Sequence, residues 1–224
     1  MSKLILIRHG QASFGRSNYD QLSELGHKQA LWLGEFFHNI NLYPTRLISG
    51  SLQRHLQTTE ALCKGLGIDM APEIQPDWNE FDFHNIGRAY LAQHPEATPV
   101  ENTPKAFFTV LRHALKAWAE EGLEARLQED FSGFENRIQR AIDQSTAEDQ
   151  RDQTVFVVSS GGAISQALRL TLKLDIDTLI DLNLQTRNTG ISEFYFNPNK
   201  RYLSGFNAVP HLESAERRQY ITSA

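Results

Sequence analysis

Arg8-His9-Gly10 closes an apolar run, Leu4-Ile5-Leu6-Ile7. An arginine offers a planar fork of donors that matches phosphate oxygens. The imidazole beside it can act as a nucleophile or carry a proton near neutral pH. The glycine lets the backbone turn sharply or approach a ligand closely. A second cation, Arg54, and a glycine turn, Ser159-Ser160-Gly161-Gly162, stand at comparable places after two later apolar runs. A glycine-containing turn that opens a helix presents backbone N–H groups and a favourable dipole to an anion. Trp78-Asn79-Glu80-Phe81-Asp82-Phe83 adds two carboxylates among aromatic rings. Apolar surroundings favour the protonated carboxyl, as a general acid requires. Alternation would direct Glu80 and Asp82 to one face of an extended segment. Together a nucleophile, two guanidinium groups, an acid and an anion-binding turn suit phosphoryl chemistry. Read singly, each has a plainer alternative: an ordinary strand end, a surface arginine, a solvated acidic edge, a tight turn with an N-cap serine. Their convergence on one edge of a sheet favours a site.

The elements that would position them follow from the apolar pattern. A short continuous run such as residues 3–7 fits a strand buried on both faces, as in a parallel sheet. Residues 13–20 are polar and suggest a loop over the end of that strand. Ser23 is a plausible N-cap for a helix whose face is Leu25, Ala30, Leu33, Phe36 and Phe37. Residues 46–50 suggest a second buried strand, and 52–66 a helix closed by Gly65 and Gly67. This β-α-β-α order over residues 3–66 implies right-handed crossovers and a parallel sheet. Ligands of such sheets bind beyond the carboxyl ends of the strands. Arg54, in the first turn of the second helix, would open onto the same edge as Arg8 and His9.

Residues 84–150 change character. Residues 84–104 look loop-like with a short helix. Helical spacing of Phe107, Phe108, Leu111, Leu115 and Trp118 marks a helix over 105–121, and Phe134, Ile138 and Ile142 mark another over 131–146. This is a mainly helical insertion into one domain spanning 1–224. Residues 154–158 form the clearest buried strand, followed by a helix over 163–172. A further helix is expected at 177–184, a hairpin from 190–196 and 201–206, and a loose polar tail at 211–224.

The net charge of −5 gives no electrostatic case for nucleic acid. No apolar stretch nears the ~20 residues that a membrane helix needs. The first strand begins at once, where a signal peptide would need charged and apolar regions. Cys63 is the single cysteine, so neither an internal disulfide nor a cysteine zinc site is possible, and a packed thiol is expected. These features point to the cytoplasm.

These pieces together resemble the histidine phosphatase superfamily, the phosphoglycerate mutase-like fold. Its pattern has an N-terminal strand ending in Arg-His-Gly, matched by Arg8-His9-Gly10. A second strand is followed by Ser-x-x-x-x-Arg-x-x-x-Thr, matched by Ser49, Arg54 and Thr58. Glu80 matches a glutamate ahead of the helical insertion, and Asn188 a later position often held by Asn. The resemblance implies a three-layer α/β/α sandwich with a mostly parallel central sheet. It also implies that His9 attacks a phosphoryl group and becomes a phosphohistidine. Arg8 and Arg54 would hold the oxygens, Glu80 would protonate the leaving oxygen, and water would release phosphate. No metal or other cofactor is used.

Two positions depart from that pattern. Ala12 stands where the family commonly has Thr or Ser. Ser160 stands where the family has a second catalytic histidine, a donor to the transferring group. Losing such a donor can slow a reaction by ~100- to 1000-fold. The expected phosphate contacts are therefore Arg8, Arg54, Ser160 and Gly161. The expected function is a phosphatase acting on a small phosphorylated metabolite or a phosphoprotein. Its alternatives are a non-catalytic phospho-ligand binder, a phosphoglycerate mutase, and a serine hydrolase using Ser160. The last lacks the glycine of a G-x-S-x-G elbow two places before the serine.

Overall fold

The computed structural model describes residues 1–13, 20–101, 103–147, 152–197 and 199–223. Its centre is strand β1 (Ser2–Arg8), flanked by β4 (Thr154–Ser159) and β5 (Ile191–Asn197). Six strands run in the order β3-β2-β4-β1-β5-β6, with β2 at Arg46–Ser49, β3 at Glu73–Ile74 and β6 at Lys200–Ala208. β1 to β4 are mutually parallel, and the β5–β6 hairpin is antiparallel to β1. The first two strands are not neighbours, because β4 lies between them.

Strand alternation sorts the core into two faces. Leu4, Leu6, Ile48, Val155 and Val157 belong to one buried cluster, and Ile5, Ile7, Leu47, Phe156 and Val158 to the other. Fully burying one such side chain contributes about 1.5–3 kcal/mol, so four of them anchor β1 and fix where Arg8 and His9 emerge. Helices α1 (Glu24–Asn39) and α2 (Gln53–Leu66) cover the second face with Leu33, Phe37, Leu62 and Leu66. Helices α5 (Phe131–Ser145), α6 (Gly161–Leu172) and α7 (Ile176–Gln185) cover the first with Ile138, Ile142, Ala163, Ala167 and Leu179. The result is the expected three-layer α/β/α arrangement, with seven helices among the described residues.

Several local expectations change. Gly65 does not end α2: it lies inside the helix, where a Cβ would overlap the backbone of α1 at Leu31 and Gly34. Gly67 alone closes α2, in the left-handed conformation at φ 70°. Residues 84–104 are more ordered than expected. Asp82 caps a full helix α3 (Phe83–Gln93) by accepting from Asn85 N at 3.0 Å, and α3 packs on α4 (Pro104–Ala119). Helix α6 starts two residues before the expected Ala163, at Gly161.

The C-terminal segment is docked, not loose. Gln29 Nε2 donates to Tyr220 O and Thr222 Oγ1, Arg187 and Ser223 form an isolated β-bridge, and His211 is buried against Thr189. Of the polar loop expected at residues 13–20, residues 14–19 lie outside the described residues.

Candidate active site

The carboxyl ends of β1, β2 and β4 converge with the first turns of α2 and α6. Arg8 ends β1, and the β1–β4 register pairs it with Ser159. His9 follows, its N–H donating to Ser159 O at 2.9 Å and its carbonyl accepting from Thr189 N and Asn188 Nδ2. Gly10 donates its N–H to Thr58 Oγ1, and Thr58 donates to Arg54 O. A Cβ at Gly10 would overlap the backbone of Gly26, so only glycine allows this close crossing of α1. Thr58 thus ties the turn after His9 to the helix that carries Arg54.

His9 is 4% exposed, and its Nδ1 lies 2.7 Å from Gly10 O. A carbonyl oxygen only accepts, so Nδ1 carries the proton and Nε2 keeps its lone pair. Burial, then the guanidinium groups of Arg54 and Arg8, then the His55 ring hold its pKa well below 6.5. At neutral pH the ring is therefore uncharged, with a free lone pair on Nε2, beside two cations. Arg8 Nη1 donates to Thr186 O. Arg54 Nη1 donates to Asp20 Oδ1 at 2.7 Å, and its Nη2 lies 3.4 Å from Ser160 Oγ. Asp20 Oδ2 also accepts from Gln53 N, so one carboxylate caps the start of α2 and orients Arg54.

Ser160 occupies the N-cap position of α6 yet makes no side-chain capping bond. Its hydroxyl turns instead to His55 Nε2, 2.7 Å away. A Cβ at Gly161 would overlap Thr186 Oγ1, and one at Gly162 would overlap Phe81 and Glu80, which explains two successive glycines here. Glu80 Oε2 accepts from Gly162 N at 3.0 Å and Oε1 from Phe81 N at 3.2 Å, so Glu80 stands at the start of α6. Asp82 does not share its face. The segment before Glu80 is a 3-10 turn (Pro76–Trp78), and α3 begins at Phe83, so strand alternation does not apply.

The structure therefore brings Arg8, His9, Arg54, Ser160, Gly161 and Glu80 to one sheet edge. It adds two residues that the sequence did not single out, Asp20 and His55. His55 directly follows Arg54 in the first turn of α2, a position that could have drawn notice. Asp20 carries no local signal, because its role depends on a contact 34 positions away.

An open, mostly parallel sheet with a buried, uncharged histidine and two arginines at its carboxyl edge is an arrangement suited to an α/β protein that handles phosphoryl groups. The family model that matches residues 4–209 is the histidine phosphatase superfamily (branch 1). The chain belongs to this superfamily. No curated protein matches the sequence. Among solved structures, a phosphoserine phosphatase mutant from Entamoeba histolytica in complex with phosphoserine is 21% identical, with a TM-score of 0.65, over 95% of this chain and 100% of that one. A mycobacterial glucosyl-3-phosphoglycerate phosphatase is 21% identical, with a TM-score of 0.63, over 92% and 98%. A phosphoglycerate mutase from Bacillus anthracis is 16% identical, with a TM-score of 0.64, over 94% of both chains. No helix among the described residues is long and apolar enough to cross a membrane.

Proposed function

We propose that this chain is a phosphatase that hydrolyses small phosphorylated metabolites through a phosphohistidine on His9. The observation that carries the reading is the bare Nε2 of His9, fixed by the Nδ1–Gly10 bond and flanked by Arg8 and Arg54. In the first step the Nε2 lone pair forms the N–P bond as the ester P–O bond breaks. Glu80 passes a proton to the departing oxygen. In the second step an oxygen lone pair of water forms the new P–O bond and a proton of that water passes to Glu80, while the electrons of the N–P bond return to His9 Nε2 as its lone pair and inorganic phosphate is released. Arg8, Arg54, Ser160 and the Gly161 N–H at the first turn of α6 hold the phosphoryl oxygens throughout. The phosphatases with this fold act in the same direction, and two of their names carry phosphoserine or a phosphoglycerate ester.

Ser160 stands where the family carries its second catalytic histidine. The pocket loses one imidazole there and keeps a hydroxyl. The deciding experiment is rapid quench after mixing with p-nitrophenyl phosphate. The expected result is an alkali-stable, acid-labile phosphate on His9, located by mass spectrometry. A chain that binds inorganic phosphate yet never forms that adduct is a phospho-ligand binder and not a phosphatase.

A further inference from the structure

The imidazole missing at position 160 has a counterpart across the pocket. His55 is fully buried in the first turn of α2, its ring centroid is 5.8 Å from that of His9, and its Nε2 touches Ser160 Oγ at 2.7 Å. Arg54 Nη2 reaches the same oxygen at 3.4 Å. We propose that His55 and Arg54 together lock the Ser160 hydroxyl so that its proton is the donor to a phosphoryl oxygen. This rests on the phosphatase reading of the pocket. His55 is then a positioning residue, and Ser160 is the group that touches substrate.

The argument is one of counting protons and lone pairs. His55 Nδ1 is buried and has no hydrogen-bond partner among the described residues. It lies against Gly50, where a Cβ would overlap it. A buried N–H without an acceptor is rarer in native structures than an under-used acceptor, so the proton sits on Nε2. Burial first and Arg54 second keep the ring uncharged, so it carries only that one proton. Nε2–H therefore donates to Ser160 Oγ, and a guanidinium can only donate as well. Both lone pairs of the hydroxyl are then filled, and its single proton must point away from His55 and Arg54. A hydroxyl that accepts two bonds is also a better donor, because such chains polarise one another. Two side chains on α2 and one on α6 thus replace a single longer donor.

The same contact sets a spatial limit. His55 Nε2 stands directly beyond the Ser160 hydroxyl. In that rotamer an imidazole at position 160 would run into the one at position 55. The two positions can carry serine and histidine, or histidine and a small residue, but not two rings.

Two measurements test this on the full chain. The first is nitrogen-15 NMR of the histidine rings of the unmodified protein at about pH 7.5, above the ordinary histidine range. His9 is expected as the Nδ1–H tautomer and His55 as the Nε2–H tautomer. An Nδ1–H tautomer at His55 overturns the proposal, because Ser160 would then spend its proton on the ring. This readout needs neither turnover nor a folded variant.

The second is kinetics on p-nitrophenyl phosphate. Ser160→Ala and His55→Ala are each expected to lower kcat by about 100- to 1000-fold, with KM changed little, as for loss of one preorganised donor. The double variant should be no worse than either single one, because the pair acts as one unit. His55→Gln, which keeps a donor near the Nε2 position, should recover most of the loss. Losses that multiply, or no recovery in His55→Gln, mean a packing role and overturn the proposal. If the parent forms no phosphohistidine, the phosphatase reading fails by itself. Orthovanadate binding then decides: at least about a tenfold weakening in His55→Ala supports the donor arrangement, and unchanged affinity overturns it.

Discussion

Arg8, His9 and Ser160 leave the ends of two central strands that pair residue by residue over six positions, whereas Glu80 hangs on a connector between a 3-10 turn and α3. The first region is over-determined. His9 is held by Ser159, Gly10, Thr189 and Asn188, and Gly10 by Thr58. The second rests on two backbone N–H groups, of Phe81 and Gly162, and on the aromatic packing of Phe81 against Trp118 and Phe134. The difference teaches that the floor of the proposed phosphate site is rigid scaffold, while the proposed acid, Glu80, is set by tertiary packing of the helical region.

The largest expected effect lies in the floor. His9→Ala should lower kcat by at least about 10⁴-fold, as for loss of a nucleophile, while cooperative unfolding persists. Turnover of p-nitrophenyl phosphate at the parental rate would break the assignment.

Acidification is the next test of the floor. His9, His55 and His211 all have depressed pKa values, His211 to about 3, with burial the first cause in each. Unfolded, each takes up a proton near pH 6.5, whereas in the folded chain each stays neutral. Unfolding therefore binds protons, so the stability these groups support is full above about pH 6.5 and falls as the pH drops below it. From pH 7.5 to 5.5 the unfolding free energy should fall, His211 alone contributing about 1.4 kcal/mol, read by urea titration. A flat profile would mean that the rings are solvated.

Glu80→Gln should lower turnover of alkyl phosphates by about 100-fold, and that of p-nitrophenyl phosphate much less, since the latter leaving group needs no proton. Equal losses would move Glu80 to a structural role. The smallest effect belongs to its neighbour. Asp82→Ala should cost about 1 kcal/mol through the lost α3 cap, with kcat unchanged in steady-state assays. A selective loss on alkyl phosphates in Asp82→Ala would transfer the acid role to Asp82.

The floor was legible in the sequence because local rules and tertiary structure agree there. The Leu4–Ile7 run is buried on both faces, and the cations sit where such strands end. Ser23 caps α1 as its type suggests, accepting from Gly26 N at 3.0 Å. What was not legible depends on distant partners. Helix α3 was obscured by Gly87 and polar residues, although Asp82 with Asn85 and the later Pro95 frame it. The 211–223 segment looks loose by composition, yet it is fastened by Gln29, a polar residue buried on α1. His55 meets Ser160 across 105 positions, a distance that no spacing rule spans.

The docking of that last segment has a consequence for how the chain comes into being. Thr222 O accepts from Asn188 N and Thr222 Oγ1 donates to Asn188 Oδ1, while Asn188 Nδ2 holds the carbonyl of His9. His9 is made well before the residues that back its carbonyl, since Asn188 lies 179 positions later and Thr222, which holds Asn188, later still. A nascent chain thus has Thr58 and Ser159 to hold its Arg-His-Gly turn early, and gains the backing of Asn188 by Thr222 only once that residue has been made. The last of the hydrogen bonds behind the His9 carbonyl is therefore completed as a closing step.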